Sequence, residues 1–484
     1  MSQFQDSKVF KDSIHGVICL SPLLVSIIDT PQFQRLRNIK QLGGTYWVFP
    51  SSSHNRFEHS LGVCYLGGEM LEKIRSRQPE LGITDSDILC VQIAGLCHDL
   101  GHGPFSHLWE HFMENANPEA VWKHEECSIK MLDFLIKKNE LEDLFHKNDI
   151  TSRDLIFIKE LIVGPDSNIG DDWPYKGRDS DKAFLYEIIA NKRNGVDVDK
   201  WDYFLRDAHA LGLRTSFGYE RLLQFVRVID VPGEGRQVCF RDKDAYEIYE
   251  MFHTREALHR RAYQHRVCKV IERMLVDIFL LADKHIKLRT SEGPSSLRLS
   301  EVYQDPSVYT RLNDSILDII GTSYEPELEP AQKLVERLER RQLYTFVGAA
   351  SPCDGRLQIS DSDIEKKLIS YLDPKDSFIQ PSDVVVTSIH VNFGQGDKNP
   401  LEFVRFYTKC NPDVAKPIRK EEISKMLPDR FTEEVIHVHS KRRDSAIVEA
   451  LKRCLDKFCE DNLFLRHAAE NWFSTVPALN GVDK

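Results

Sequence analysis

A helical spacing of apolar residues recurs through the first 290 residues and restricts this part of the chain to a largely α-helical fold. Apolar side chains three and four positions apart line one face of a helix, and that face must be buried against a neighbour. Segments with this spacing span 23–42, 61–77, 87–100, 124–138 and 244–286. Breaks rich in glycine, proline or polar residues fall at 44–55, 101–105, 115–120 and 164–181. We expect the last break to be a mobile surface loop.

The pattern changes after residue 290, where β-branched residues and alternating polarity become frequent. This pattern predicts strands at 344–350, 356–360, 383–394, 403–408 and 435–441. Helical spacing returns at 330–342 and 445–464. The predicted fold class is therefore mainly α, with a helical core over 1–290 and a smaller α+β lobe over 291–484.

Composition and charge exclude several classes of protein. Of 484 residues, 41% are hydrophobic and 29% are charged, which argues against a disordered or fibrous chain. The net charge of −11 does not favour nucleic-acid binding through the overall field. We find neither an apolar run near the ~18 residues of a membrane span nor a signal peptide. Eleven cysteines without a CxxC pair favour a reducing, intracellular compartment, either nucleus or cytoplasm.

Histidines are concentrated in one segment of the chain. Seven of the 18 lie between residues 54 and 124. The doublet His98-Asp99 ends a predicted helix, and such a pair can offer one nitrogen and one oxygen ligand to a metal. A purely structural pair is the alternative for such a doublet. His59 and Asp199, each near the start of another predicted helix, complete a set of two imidazoles and two carboxylates.

The order His59, His98-Asp99, Asp199 resembles the signature of the HD-domain metallophosphohydrolase superfamily. The surrounding segments resemble the vertebrate-type dNTP triphosphohydrolases that carry an SAM domain before the HD domain. The segments that carry this resemblance are 8–16, 27–44, 53–63, 94–107, 194–212 and 253–265. The resemblance extends from residue 8 to the last predicted strands. We expect no SAM domain in this chain, which leaves a truncated form and a natural homologue open.

The resemblance implies a reaction and a set of metals. The reaction is hydrolysis of a dNTP to deoxynucleoside and inorganic triphosphate, with the HD motif region at about 56–207 in the catalytic core. The implied metal is zinc, iron or manganese, with Mg²⁺ accompanying the substrate. Its implied ligands are His59, His98, Asp99 and Asp199. A mixed nitrogen and oxygen set does not by itself select one metal.

The resemblance also implies the groups that handle protons and phosphates. His102, His107 and His124 would line the α-phosphate, with His124 and His107 transferring protons. For any single histidine, a helix cap or a polar core position is the alternative. Arg56 would face a phosphate beside the metal. Glu110 stands where the family has Asp, and Glu125 is the alternative residue to orient a histidine.

Two helix faces are candidates for holding the nucleotide. One carries Lys200, Tyr203 and Asp207; the other carries Arg255, His259 and Tyr263, followed by Gln264. Such faces offer cations for phosphates, rings for a base and a carboxylate for a sugar hydroxyl. The alternative is a solvated face of a basic helix. By resemblance, Gln41 and Leu42 join Tyr203 around the deoxyribose, which implies a preference for deoxynucleotides.

Family resemblance implies activation by nucleotides bound between subunits of a homo-oligomer, from dimer to tetramer. A first site would read guanine from GTP or dGTP, and its residues are Lys8, Val9, Asp29, Gln34 and Arg37. A polar helix face is the alternative explanation for these residues. The lobe over 291–484 would serve regulation and oligomerisation.

A second regulatory site for a dNTP departs from the family pattern. Its candidate residues are Lys11, Val48, Arg221, Phe225, Arg241, Lys243, Glu247, His265, Arg266 and Lys441. Lys11 and Glu247 stand where the family has Asn, and Gly218 stands where it has Asp. Arg419 and Lys420 offer only a shifted match to a phosphate-binding arginine. Cys239 keeps one redox-linked position, but its partner position is Ser440.

Two other classes of function remain open from the sequence. One is a different HD-domain nucleotide hydrolase or phosphodiesterase. The other is a nucleic-acid-binding scaffold that retains the fold, with weak binding of single strands at an oligomer interface. Three separate cations, Arg56, Lys200 and Arg255, favour a triphosphate substrate. The intact metal set speaks against an inactive scaffold.

Overall fold

Helices form most of the first half of the protein. The structure is a computed structural model, and it describes residues 7–119, 122–164, 173–290 and 295–467. The helices of this half are α1 (Pro22–Ile28), α2 (Pro31–Gln34), α3 (Arg56–Arg77), α4 (Asp85–Cys97), α5 (His107–Ala116), α6 (His124–Lys138), α7 (Glu142–Lys147), α8 (Ser152–Val163), α9 (Val198–Leu211), α10 (Glu220–Phe225), α11 (Ala245–Leu258) and α12 (Arg266–Ala282). The mainly α fold class is thereby confirmed.

The second half mixes shorter helices with strands. Its helices are α13 (Pro306–Tyr309), α14 (Ile316–Thr322), α15 (Glu329–Glu339), α16 (Asp361–Ser370), α17 (Lys420–Ile423) and α18 (Ser445–Asn462). The strands of the whole protein are β1 (Lys8–Asp12), β2 (Gly16–Leu20), β3 (Arg227–Val231), β4 (Gly235–Arg241), β5 (Leu288–Arg289), β6 (Ser296–Leu297), β7 (Thr345–Pro352), β8 (Val384–Asn392), β9 (Phe406–Thr408), β10 (Asn411–Lys416), β11 (Thr432–Ser440) and β12 (Phe464–Arg466).

Capping side chains fix where the long helices begin. At the start of α3, Asn55 accepts a hydrogen bond from the Phe57 amide at 3.2 Å, and Glu58 accepts one from the Asn55 amide at 2.9 Å. Thr84 and Asp87 form the same reciprocal capping box at the start of α4. These caps satisfy backbone donors that would otherwise be unpaired, and they set the register of the residues that follow.

Helices α3 and α4 pack closely because α4 has a glycine at the contact. A Cβ atom at Gly95 would lie 3.1 Å from the backbone of Val63 and Cys64. The side chains around this contact, including Val63, Cys64 and Ala94, are fully buried. The close approach brings the C-terminal end of α4 beside the first turns of α3.

Strands of the two halves share one sheet. Its order is β10-β9-β4-β3, and β4 pairs with β9 in parallel through Phe240 and Phe406. A second sheet has the order β12-β7-β11-β8, and all of its pairings are antiparallel. Helices α16 and α18 pack with one side of this second sheet in a separate apolar core. The hairpin β1–β2 precedes the helical body.

The apolar core of the helical body continues beyond residue 290. Leu299, Tyr309, Leu328 and Tyr344 belong to the same buried cluster as the side chains of α3 and α4. The division of the chain at residue 290 into two functional domains stays a prediction. In packing terms, the main core of the helices extends well past residue 290 and also includes Phe393, Leu401 and Phe431.

Most predicted strands after residue 290 are confirmed, but the strand expected at 356–360 is wrong. This segment follows a turn at Gly355 and forms no strand. The Leu357 amide donates instead to the Glu434 carboxylate.

Strands β1 to β4 were not expected, because the helical pattern dominates the sequence around them. Residues 165–172 of the expected mobile loop lie outside the described residues.

The helix expected over 244–286 is divided into α11 and α12. A π-helical turn, His259–Tyr263, follows α11, and α12 begins afresh at Arg266. The His265 side chain accepts a hydrogen bond from the Val267 amide at 3.3 Å and so caps α12. Because of this interruption, His259, Tyr263 and Gln264 do not follow the regular α-helical spacing expected from the sequence.

Gly95→Ala should destabilise the protein by about 1–3 kcal/mol, because the added methyl group meets backbone that cannot move aside easily. The measurement is chemical denaturation of the metal-free protein. Gly321→Ala in α14 is the matched control, since a Cβ there would lie at an ordinary 3.5 Å from Val335. Equal stability of Gly95→Ala and wild type would contradict the close contact between α3 and α4.

Candidate metal centre and active site

Three helix ends bring the predicted metal ligands together. His59 lies in the first turn of α3, and Asp199 is the second residue of α9. His98 is the residue that ends α4, and Asp99 follows it. Asp197 fixes the start of α9, because its carboxylate accepts a hydrogen bond from the Lys200 amide at 3.0 Å.

The ligand atoms of His59, His98 and Asp199 face one another, and the two oxygens of Asp99 lie beside the two imidazoles. Asp199 Oδ1 lies 3.1 Å from His59 Nε2 and 3.5 Å from His98 Nε2. Asp99 lies 3.3 Å from His98 Nε2 through Oδ1 and 3.7 Å from His59 Nε2 through Oδ2. Atoms bound to one cation at about 2.0–2.2 Å lie roughly 3–3.5 Å apart, so the spacing suits a shared metal.

Hydrogen bonds on the far side of each imidazole set its tautomer. His59 Nδ1 lies 2.7 Å from Asp202 Oδ2, and His98 Nδ1 lies 2.7 Å from the Gly95 carbonyl oxygen. Both partners only accept, so each Nδ1 carries a proton and each Nε2 is the atom left to bind a metal. His98 Nε2 is buried and has no hydrogen-bond partner among the described residues. The four residues therefore fit a transition metal with nitrogen and oxygen ligands.

Electrostatics at the centre favour positive charge. Burial lowers the pKa of His59, but hydrogen bonds with Asp199 and Asp202 outweigh burial and raise it to about 10. Burial raises the pKa of Asp199, yet its contacts with His59 and His98, at 3.1 and 3.5 Å, hold that pKa well below the usual range. The surroundings that favour protons in the metal-free protein also favour a metal cation, which can replace those protons.

A second cluster lies beside the metal ligands. Glu110 Oε1 lies 2.7 Å from His124 Nδ1 and 3.2 Å from His107 Nδ1. The ring of His102 stacks on His124 at 4.0 Å and lies 3.3 Å from Asp99 through Nε2. Glu125 is more distant, 3.4 Å from His124 Nδ1. Glu110 thus contacts both histidines.

The three histidines of this cluster differ in exposure to solvent, and they therefore suit different roles. His102 is fully buried, and burial holds its pKa well below the usual value, so it is neutral. The side chain of His107 is 66% exposed, whereas that of His124 is 18% exposed. Contacts with His107 and His124 lower the pKa of Glu110 against the opposing effect of burial. An ionised Glu110 between two imidazoles can orient either ring.

Arg56 contacts the metal set directly rather than an open pocket. Its Nη1 donates to Asp99 Oδ2 at 2.6 Å, and its Nε donates to Ser106 Oγ at 3.0 Å. Ser106 and the preceding Phe105 have positive φ values of 60° and 59°. Non-glycine residues rarely adopt this conformation, and such strain is typical of functional loops. Neither Ser106 nor this strain was predicted from the sequence.

The predicted nucleotide residues form several smaller contacts. Asp207 accepts from Tyr263 Oη at 2.5 Å and lies 2.7 Å from His54 Nε2. Lys200 Nζ donates to Asp197 at 2.8 Å. Arg255 donates to the backbone and side chain of Asn392. The role of His54 was not anticipated, because no spacing in the sequence relates it to Asp207.

The other predicted nucleotide residues lie around these contacts. The rings of His259 and Tyr263 are 5.0 Å apart. The Oε1 atoms of Gln41 and Gln264 are buried without a hydrogen-bond partner among the described residues. Leu42 is half-buried against the main core. A cavity of about 140 Å³ opens beside the metal ligands, with His98, His124, Glu125, Asp199 and Lys200 in its wall.

The five residues predicted to read guanine lie near the hairpin β1–β2. Lys8 Nζ lies 3.1 Å from Asp29, and Arg37 Nε donates to Gln34 at 2.8 Å. Gln34 also donates to the carbonyl of Ile28, next to Asp29. The side chain of Val9 is exposed. These residues form one accessible group.

The residues predicted for the second regulatory site fall into separate groups. Arg221 and Arg241 both lie over the ring of Phe225, at 5.3 and 5.0 Å. Glu247 accepts a hydrogen bond from the Gly218 amide at 2.8 Å. Other members contact different parts of the chain: Arg266 lies over Phe346, Lys441 pairs with Asp277, and His265 lies near Phe49. Lys11 and Lys243 are exposed, and Val48 is half-buried.

The two candidates for a phosphate-binding residue in the second lobe also form ion pairs within the protein. Arg419 pairs with Glu422, and Lys420 pairs with Asp429. Cys239 and Ser440 are both fully buried.

No helix within the described ranges is long and apolar enough to cross a membrane.

Comparisons with known proteins agree with this geometry. The HD domain family model matches residues 56–147. The chain is 47% identical over 474 residues to the deoxynucleoside triphosphate triphosphohydrolase SAMHD1 of Xenopus laevis, covering 94% of this chain and 75% of that protein. Identity to SAMHD1 of Homo sapiens is 47%, covering 95% of this chain and 74% of that protein. The SAMHD1 homolog of Dictyostelium discoideum is 38% identical, covering 94% of this chain and 82% of that protein.

Asp199→Ala should bind metal at least about tenfold more weakly, because Asp199 Oδ1 faces both imidazoles. Metal content after dialysis, measured by mass spectrometry, tests this expectation, with circular dichroism to check folding. Asp133→Ala is the control, since Asp133 is an exposed carboxylate paired with Lys159. Full metal retention in Asp199→Ala would remove Asp199 from the ligand set.

Proposed function

Because the chain belongs to the SAMHD1 family of deoxynucleoside triphosphate triphosphohydrolases, we propose that it hydrolyses dNTPs to deoxynucleoside and inorganic triphosphate. The observation that carries this proposal is the convergence of His59, His98 and Asp199, with Asp99 beside both imidazoles. A second group, His102, His107, Glu110 and His124, lies next to them. The reaction breaks the bond between the α-phosphorus and O5′ of the sugar. It therefore needs a proton for the departing oxygen.

The residues that would hold the metal are His59, His98, Asp99 and Asp199. A divalent metal in this place supplies Lewis-acid polarisation of a phosphoryl oxygen. Arg56 contributes a fixed positive charge, because its guanidinium donates to Asp99 in a buried position. Zinc, iron or manganese suits these ligands, and Mg²⁺ neutralises the triphosphate of the substrate.

His124 is the proposed donor of the proton to O5′. Glu110 holds Nδ1 of His124 at 2.7 Å, so Nε2 is the atom free to face the substrate. His124 is less exposed than His107 and stacks on the neutral ring of His102. His107 lies at the outer side of the cluster, and it is proposed to contact the phosphates.

Lys200 and Arg255 are proposed to bind the β- and γ-phosphates. In the structure each cation has an acceptor within the chain, Asp197 for Lys200 and Asn392 for Arg255. Binding of a triphosphate therefore exchanges these acceptors for phosphate oxygens. Asp207 and Tyr263 are already hydrogen-bonded to each other, which preorganises them for the sugar. Gln41, Leu42 and Tyr203 crowd the position of a 2′-hydroxyl group and favour deoxynucleotides.

GTP or dGTP is the proposed activator, bound by Lys8, Val9, Asp29, Gln34 and Arg37 between subunits of a homo-oligomer. The ion pair of Lys8 and Asp29 supports this role, because both side chains are about half exposed and can open to a base. The second site is proposed to bind its dNTP more weakly than in relatives. Its Glu247 carboxylate already accepts from the Gly218 amide and repels phosphate.

The direct test incubates the protein with dATP and Mg²⁺, with and without GTP, and identifies the first products. We expect deoxyadenosine and inorganic triphosphate, in amounts that rise when GTP is added. Asp29→Ala should lose the response to GTP while retaining metal. Orthophosphate or pyrophosphate as the first product would contradict the proposal and indicate another type of HD-domain hydrolase.

Glu110→Gln should lower kcat by about 10- to 100-fold while metal content stays at the wild-type level, because the amide holds His124 less firmly in its catalytic orientation. Glu110→Asp, the residue found in the family, should retain most of the activity. Glu114→Gln is the matched control, since Glu114 makes the equivalent contact with His111 one turn further along α5. Unchanged kcat in Glu110→Gln would show that Glu110 does not orient the proton donor.

A further inference from the structure

A buried chain of hydrogen bonds runs from the hairpin β1–β2 to the metal ligand His59. His15, in the turn of the hairpin, lies 2.6 Å from Asp202 Oδ1 through Nε2. Asp202 Oδ2 lies 2.7 Å from Nδ1 of His59. The side chains of His15 and Asp202 are 0% exposed, and that of His59 is 1% exposed.

The protons in this series of hydrogen bonds can be assigned, starting from Asp202. The Asp202 carboxylate only accepts, so both His15 Nε2 and His59 Nδ1 donate to it. His15 Nδ1 then accepts from Tyr219 Oη, 2.9 Å away. His15 is thus held as the tautomer that points its N–H at Asp202, and His59 as the tautomer that leaves Nε2 for the metal.

Arg206 completes the support of Asp202 and ties it to the hairpin a second time. Its Nε and Nη2 each donate to one oxygen of Asp202 at 2.8 Å. Its Nη1 donates to Asp12 at 2.9 Å, and Asp12 also accepts from the backbone amides of Ile14 and His15. Each oxygen of Asp202 therefore has two donors, and removal of His15 leaves Oδ1 with only one.

The position of Asp202 also depends on a glycine in α3, one turn after His59. A Cβ atom at Gly62 would lie 1.8 Å from Asp202 Oδ1 and 2.7 Å from Arg206 Nη2. The absence of a side chain there lets the carboxylate lie against α3. The space for Asp202 is thus built into the helix that carries the metal ligand.

We propose that His15 is a positioning residue which, through Asp202, aligns His59 for metal binding and makes the N-terminal hairpin a structural part of the metal centre. This inference rests on the metal site of the proposed function. It assigns a role to a residue outside the predicted ligand, catalytic and nucleotide sets. The hairpin that carries Lys8 and Val9 is in this way joined to the catalytic centre by side chains within one subunit.

Two substitutions of His15 separate its two contacts. His15→Asn places an amide where Nδ1 was, which keeps a partner for Tyr219 but loses the donor to Asp202. His15→Gln places an amide nitrogen near the position of Nε2 and keeps that donor. Tyr219→Phe is the matched control, because it removes only the contact at the outer end of His15.

The measurement is the Zn²⁺ affinity of the metal-free full chain, determined by competition with a chromophoric chelator. We expect His15→Asn to weaken binding by about tenfold, with His15→Gln and Tyr219→Phe near the wild-type value. Wild-type affinity in His15→Asn would overturn the proposal. An equal loss in His15→Asn and Tyr219→Phe would also overturn it, because His15 would then only anchor the hairpin.

If His15→Asn does not fold, a second pair of variants decides the question. Gly62→Ala displaces Asp202 and should weaken Zn²⁺ binding by about tenfold or more. Gly68→Ala lies on the same helix and meets only the side chain of Gln92, so its affinity should stay near wild type. Wild-type affinity in Gly62→Ala would overturn the proposal, since the position of Asp202 would not control His59. None of these outcomes depends on dNTP hydrolysis, so a failure of the proposed function is recognised separately.

Discussion

The burial of several carboxylates around one point is the constraint on which the catalytic centre depends. The side chains of Asp12, Asp99 and Asp202 are at most 5% exposed, and that of Asp199 is 29% exposed. Arg56 donates to Asp99, and Arg206 donates to Asp12 and Asp202. Buried charge is costly unless it is paired. The two arginines balance two of the four carboxylates. A divalent cation between His59, His98, Asp99 and Asp199 would balance the remaining two negative charges, so the arrangement suits a metal.

Helix N-termini converge on the same region. Arg56, His107 and His124 are each the first residue of a helix, and Asp199 is the second residue of another. The N-terminal ends of helices carry unpaired amides and partial positive charge, which favour anions. A net charge of −11 would repel a triphosphate from most of the surface. The helix ends, the metal and the local cations together make this one place attractive to it.

The sequence predicted the mainly helical class because it follows from short-range patterns, whereas the metal set was predicted from the family resemblance. Apolar spacing gave the long helices, and the family resemblance connected His59, His98-Asp99 and Asp199 across the chain. Asp202 was not predicted, because a carboxylate one turn after Asp199 looks like part of a solvated helix face. Its burial depends on Gly62 and on the hairpin, which lie far away in sequence. The sheet that joins β4 to β9 was missed for the same reason, since its pairing is long-range.

We propose that two imidazoles and two carboxylates hold one catalytic metal. The decisive measurement is X-ray absorption at the zinc edge of the protein loaded with one equivalent of Zn²⁺. We expect a shell of nitrogen and oxygen ligands at about 2.0–2.2 Å, with the outer-shell scattering of two imidazole rings. A shell with sulfur ligands, or one without imidazole scattering, would contradict it.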